Sequence, residues 1–198
     1  MLVLGILGLT MTAETPSLPR RRVASPRRVS GLFFATVLAW VALDQVTKQI
    51  ATALFATSPV DLGFVRLVDV RNQNAAFGIP GFPGLFIGVT VLVVALVLRA
   101  LPRIDRPALG VAYGLVVGGA LGNVLDRLFR APGFPGGAVV DFIDLGWFPV
   151  FNLADSGITV GAVFLALLLT QLDREERVAE RERARHRSVR PDPQSPRT

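Results

Sequence analysis

The chain has 198 residues, 51% of them hydrophobic and 18% charged, with no cysteine and a formal net charge of +6. Its apolar residues come in long uninterrupted runs, which excludes an ordinary soluble domain and places it among membrane proteins. Without cysteine there are no disulfides, no thiolate nucleophiles and no Cys-based metal sites.

Residues 1–12 are apolar but short, and no positive charge precedes them, which argues against a cleavable secretory signal. Residues 18–30 are rich in Pro, Arg and Ser. Residues 1–30 therefore read as a disordered cytoplasmic arm, or as the product of a mis-assigned start codon. Four apolar segments follow, at residues 31–55, 82–98, 108–125 and 150–172. Each approaches the length of about 20 apolar residues that spans a bilayer. None alternates as barrel strands do, so all four are expected to be helices, with backbone groups paired internally. Between the first two, residues 64–70 combine aromatic and β-branched residues bounded by Gly and Asn. Between the last two, residues 138–143 are short and apolar. Both suit strands of a small β-like platform on the extracytoplasmic membrane surface. The fold class is thus an all-α membrane protein of four transmembrane helices with a small extracytoplasmic sheet. Residues 173–198 form a charged tail, helical at first and Pro-rich at its end.

Orientation follows from arginine. Of 20 arginines, five lie in residues 20–28 and eight in 174–197, and the only lysine, Lys48, lies inside an apolar span. With both termini cytoplasmic, the inner side carries sixteen arginines and the outer side Arg66, Arg71, Arg127 and Arg130. Cytoplasmic flanks carry such an excess. Because the basic residues flank apolar spans and do not interleave with aromatics, they read as topology determinants, and nucleic acid is not an expected partner.

Ionisable groups inside a bilayer cost at least ~2.5 kcal/mol each at its centre, so each needs a reason. Asp44 and Lys48 stand four apart on one helix face and suit an ion pair, either neutralising one another or holding a site. Gly110, Gly114, Gly118 and Gly122 form a stripe of small residues for close helix packing, with Asn123, Asp126 and Arg127 at its outer end. Asn152 and Asp155 share a face in the first turn of the fourth span, where an acid often serves only as a cap. Asp141 sits in an apolar stretch on the same side. In the four-span topology Lys48, Asp126, Asp141 and Asp155 all fall in the outer half, with Asp44 nearer the middle. They describe one polar site.

The only histidine, His186, lies in the tail, so Ser-His schemes and zinc sites are excluded and no metal or cofactor is expected. A carboxylate pair sharing one proton remains, or a Ser-Lys dyad of Lys48 with Ser156 or Ser58. A proton- or ion-coupled transporter is a further reading, but the acids leave the inner half of the bundle without an ionisable path.

Five runs occur in an order that resembles lipoprotein signal peptidase (signal peptidase II). They are Asp44-Gln45-Val46-Thr47-Lys48, Arg71-Asn72-Gln73-Asn74-Ala75-Ala76-Phe77-Gly78, Gly118-Gly119-Ala120-Leu121-Gly122-Asn123-Val124-Leu125-Asp126-Arg127, Val139-Val140-Asp141-Phe142 and Phe151-Asn152-Leu153-Ala154-Asp155-Ser156. The resemblance covers residues 32–172. It implies an aspartyl endopeptidase of the bacterial inner membrane that cuts prolipoproteins just before a diacylglyceryl-modified cysteine. Asp141 and Asp155 would be the catalytic pair; Asp44, Lys48, Asn72, Asn123, Asp126, Arg127 and Asn152 would support the site or contact substrate. Implied partners are lipidated prolipoproteins, entering sideways from the membrane, the surrounding lipids, and inhibitors of the globomycin type. The family usually has Gly two residues after the position of Asn72, where this chain has Asn74, the side chain that best tolerates positive φ. The apolar setting of Asp141 suits the partner that keeps a proton, and the helix start suits Asp155 as the base.

Overall fold

The computed structural model describes residues 25–73, 83–134 and 136–189. Residues 1–24 of the N-terminal arm, Asn74 and the last nine residues of the tail lie outside them.

Each long apolar run becomes a helix. Helix α1 spans Pro26–Phe55 and α3 Pro107–Phe129, both with a proline in the first turn, where its missing N–H is no loss. Helix α2 spans Pro83–Ala100 and ends in a 3-10 turn, Leu101–Arg103. Helix α4 runs 37 residues, Leu153–Val189. All four are long and apolar enough to cross a membrane. The helices outrun the apolar runs at several ends, because polar residues continue a helix wherever its backbone bonds are already formed. Thus α1 starts before Gly31, α3 passes Leu125, and α4 carries the apolar segment and the charged tail as one rod. Arg106 ties the link before α3 to Glu175 on that rod at 2.7 Å.

The outer connections pair as a three-stranded antiparallel sheet in the order β1 (Val60–Asp61), β2 (Arg66–Asn72), β3 (Val139–Asp144). Val70 opposes Asp141 and Asn72 opposes Val139, with an irregularity between Leu67 and Val70. Strands β2 and β3 fall within two residues of the stretches marked by β-branched and aromatic composition. Strand β1, only two residues long, has no such signature.

Helix α3 is the centre of the bundle, packed against α1 on one side and α4 on the other. The glycine stripe makes the first contact. A side chain at Gly110 would meet Val29, at Gly114 Thr36 and Phe33, at Gly118 Trp40 and Val37, and at Gly122 the carboxylate of Asp44, all on α1. Away from the sheet, Val29, Phe33, Val97, Leu101, Ile104, Leu109 and Val117 close the bundle with an apolar cluster.

Candidate active site

Where the glycine stripe ends, α1 and α3 are close enough for their polar residues to bond directly. The Lys48 ammonium lies 2.9 Å from Asp44 Oδ2, 2.9 Å from Asp126 Oδ2 and 3.0 Å from Asn123 Oδ1. Lys48, Asp44 and Asp126 are all fully buried. An isolated charge would not survive there, but this cation uses its three N–H donors on three acceptors. Gln45 adds bonds from Nε2 to both acids at 3.2 Å, and Arg130 Nε donates to Asp126 Oδ1 at 2.6 Å.

The two acids also reach outward to backbone. Asp44 Oδ1 accepts from the Ala154 N–H at 2.8 Å, and Asp126 Oδ2 from the Val140 N–H at 3.2 Å. Ala154 immediately precedes Asp155, and Val140 immediately precedes Asp141. One buried ion triad therefore grips the chain one residue before each of the two remaining aspartates.

Asp155 sits in the first turn of α4. Asn152 Oδ1 accepts from the Asp155 N–H at 3.0 Å while Asp155 Oδ2 accepts from the Asn152 N–H at 3.2 Å, a reciprocal cap. The capping reading of Asp155 is thus correct as far as it goes. Its other oxygen accepts from Asn123 Nδ2 at 2.8 Å. Asp141, on β3, accepts from Asn152 Nδ2 at 2.6 Å on one oxygen and from Asn72 Nδ2 at 2.9 Å on the other. Asn152, itself fully buried, is therefore bonded to both aspartates and also donates to Asn123 Oδ1 at 3.1 Å. Burial pushes the Asp141 carboxyl up from 3.8 to about 6; the amides of Asn72 and Asn152 oppose that rise, and the nearby charge of Asp155 adds to it. Arg127, over the Phe86 ring at 5.2 Å, is close enough to attract both acids.

Asp141 and Asp155 line one cavity of about 710 Å³, with Asn72, Asn123 and Arg127 at its polar end and Phe86, Thr90, Ile158 and Val160 along its apolar length. Five of the nine residues singled out from the sequence line it, and the other four, Asp44, Lys48, Asp126 and Asn152, are joined to these by the buried hydrogen bonds behind it. Lys48 is not a member of a Ser-Lys pair: its donors are taken, Ser156 Oγ donates to the Asn152 carbonyl at 3.0 Å, and Ser58 is exposed.

The family model for signal peptidase (SPase) II matches residues 36–171. The chain belongs to the signal peptidase II family. It is 44% identical over 156 residues to the lipoprotein signal peptidase of Rhodococcus jostii, covering 77% of this chain and 78% of that one. That of Syntrophomonas wolfei is 43% identical over 155 residues, covering 74% and 99%; that of Mycobacterium tuberculosis is 35% identical, covering 81% of each. A solved bacterial membrane enzyme superposes with a TM-score of 0.62 at 32% identity, over 71% of this chain and 88% of that one. Family membership makes this chain a peptidase, and its four apolar helices make it a multi-pass membrane protein.

Three contributors to this cluster were not singled out beforehand. Gln45 is an amide in an apolar span beside Asp44, and Arg130 stands one turn beyond Asp126; both positions carry a signal that helix geometry makes readable. Trp40 carries none. Its indole donates to the Leu153 carbonyl at 3.1 Å and lies against Gly157, fixing the start of α4 from the side.

Proposed function

We propose that this peptidase is an aspartyl endopeptidase in which Asp141 and Asp155 act on one water molecule, and that it cleaves prolipoproteins just before their diacylglyceryl-modified cysteine. The observation that carries the reading is Asn152: bonded to both carboxyl-bearing residues, it joins them across one cavity that is polar at the dyad and apolar along the membrane spans. In the reacting state one carboxyl is ionised and one protonated, since like charges at close range do not both ionise readily. Asp141, pushed up to about 6 by burial, holds the proton and donates it toward the scissile carbonyl. Asp155 takes a proton from the water as it attacks and passes it to the departing amine nitrogen as the C–N bond breaks, while the proton on the former carbonyl oxygen returns to Asp141. Arg127 and the amides of Asn72 and Asn123 stand at the same end of the cavity, placed to bind peptide carbonyls and the developing oxyanion. No covalent intermediate forms. The apolar length of the cavity takes the lipidated segment of the substrate, arriving within the plane of the bacterial inner membrane.

In this reading both termini face the cytoplasm and the dyad lies at the outer surface. Ligands of the globomycin type would occupy the same cavity. The test is a gel-shift assay with a diacylglyceryl-modified prolipoprotein in detergent. The wild type should shorten the substrate, and globomycin should block it. Asp141→Asn and Asp155→Asn should each abolish cleavage, whereas Ser156→Ala should keep it. Loss of cleavage in Ser156→Ala with retention in either Asn variant would sink the proposal.

A further inference from the structure

Two tight turns at one end of the sheet carry a group of largely exposed apolar side chains. Gly63, at φ +87, turns the chain between β1 and β2, and Gly146, at φ +76, turns it just after β3. The register pairs Arg66 with Asp144, so the residues before β2 and those after β3 project from the same end. There Phe64 is 85% exposed, Trp147 82%, Leu62 54% and Phe148 41%. An apolar cluster of this kind marks an interaction surface.

Its place in the fold says which. The bridge between Ile143 and Phe151 closes residues 144–150 as a hairpin, and α4 starts at Leu153, two residues beyond it. The hairpin and the membrane span also share one surface, for the same cavity is lined by Trp147 and Phe148 and by Ile158, Thr159 and Val160. At 1.5 Å per residue, Val160 lies about 10 Å below the start of α4. Trp147 and Phe148 therefore sit against the outermost turns of a lipid-embedded helix. Directly behind the apolar tip comes a charged pair, Arg66 to Asp144 at 2.6 Å, with the arginine side chain 56% exposed. Aromatic tip, then half-exposed arginine, is the order met on crossing from acyl chains to phosphates.

We propose that the tip formed by Leu62, Phe64, Trp147 and Phe148 is inserted in the headgroup boundary of the outer leaflet, so that the cavity mouth opens onto lipid and not onto bulk water. The rings of Trp147, Phe148 and Phe151, packed edge to face and each 5.7 Å from the next, then form an apolar wall from the leaflet to the residue that precedes Asn152. The inference rests on the orientation given with the proposed function but not on the peptide-cleaving chemistry, so a failed cleavage assay would leave it standing.

The chain has two tryptophans and no cysteine, which makes the test direct. The full-length Trp40→Phe variant, with Trp147 as its single tryptophan, is reconstituted in phosphatidylethanolamine–phosphatidylglycerol vesicles. Part of the lipid is brominated either near the carbonyl end or near the methyl end of the acyl chains. Bromine near the carbonyl end should remove about half of the Trp147 emission, methyl-end bromine less, and aqueous acrylamide little. Strong acrylamide quenching without bromine quenching would overturn the proposal, because the tip would then face water. Protection from both quenchers would also overturn it, since a protein surface would be the occupant. Phe64→Cys carrying a nitroxide gives a second reading in a chain that keeps Trp40. Its collisions with oxygen should exceed those with a water-soluble nickel chelate several-fold, and the reverse order would again overturn the proposal.

Discussion

Replacing Lys48 with methionine tests whether the buried triad is the frame of the site. Methionine matches the length of the lysine stem but removes the charge and three donors. Asp126 would keep Arg130 Nε at 2.6 Å, Gln45 at 3.2 Å and the Val140 amide at 3.2 Å. Asp44 would keep only the Ala154 amide at 2.8 Å and Gln45 at 3.2 Å, and no cation. The loss therefore falls on one uncompensated buried carboxylate, for which breaking a pair costs about 3–5 kcal/mol. Adding Asp44→Asn to Lys48→Met removes that charge while leaving a carbonyl oxygen for Ala154, and should return about 2 kcal/mol. Unfolding in mixed micelles, followed by tryptophan emission, measures both variants. Cleavage should fall in Lys48→Met because the amide before Asp155 loses its anchor. A cost below about 1 kcal/mol for Lys48→Met, or a double variant no more stable than the single one, would refute the reasoning.

Asp141 makes stability depend on pH. Its folded value of about 6 lies above the ordinary 3.8, so the native state binds the extra proton between them, and stability falls as pH rises through that window. The fall is on the order of 3 kcal/mol. Denaturation midpoints across the window should show that slope in the wild type and lack it in Asp141→Asn. If Asp141 is the proton donor, kcat/KM should also decline as pH rises through about 6. Asn152→Ala removes the side-chain bonds to the Asp141 carboxyl and to the Asp155 N–H together, sparing only the backbone N–H to Asp155 Oδ2; cleavage should drop about a hundredfold with KM little changed, as initial rates will show. Gly157→Ala would place a methyl group against the Trp40 indole. It should lower stability by about 1–3 kcal/mol and lose most of that penalty when combined with Trp40→Ala, as thermal scans of the pair can check.

The spans were legible because a run of about 20 apolar residues is too long for a buried core helix and has the length of a bilayer crossing. The site was legible because Asp44, Lys48, Asp126 and Asp141 are out of place in apolar surroundings. The glycine stripe announced a close helix contact on α3, though not that α1 is the partner. What composition could not supply was the wiring. That Asp44 bonds the backbone before Asp155, and Asp126 the backbone before Asp141, depends on amide groups, which nearly every residue possesses and no sequence distinguishes. The length of α4 was hidden differently: its apolar and charged parts look like separate segments, yet the backbone continues through both. Trp40 carries no signal in the sequence, because its role depends on Gly157, far along the chain, lying beside it.

The uneven origin of the polar side chains has a mechanical consequence. Helix α1 supplies Asp44, Gln45 and Lys48, α3 supplies Asn123, Asp126 and Arg130, and α4 supplies Asp155, while α2 lends the cavity only Phe86 and Thr90. Among the described residues, none of the hydrogen bonds that hold Asp141, Asp155 and the buried triad comes from α2, so a displacement of that helix by a bulky guest would leave those bonds in place.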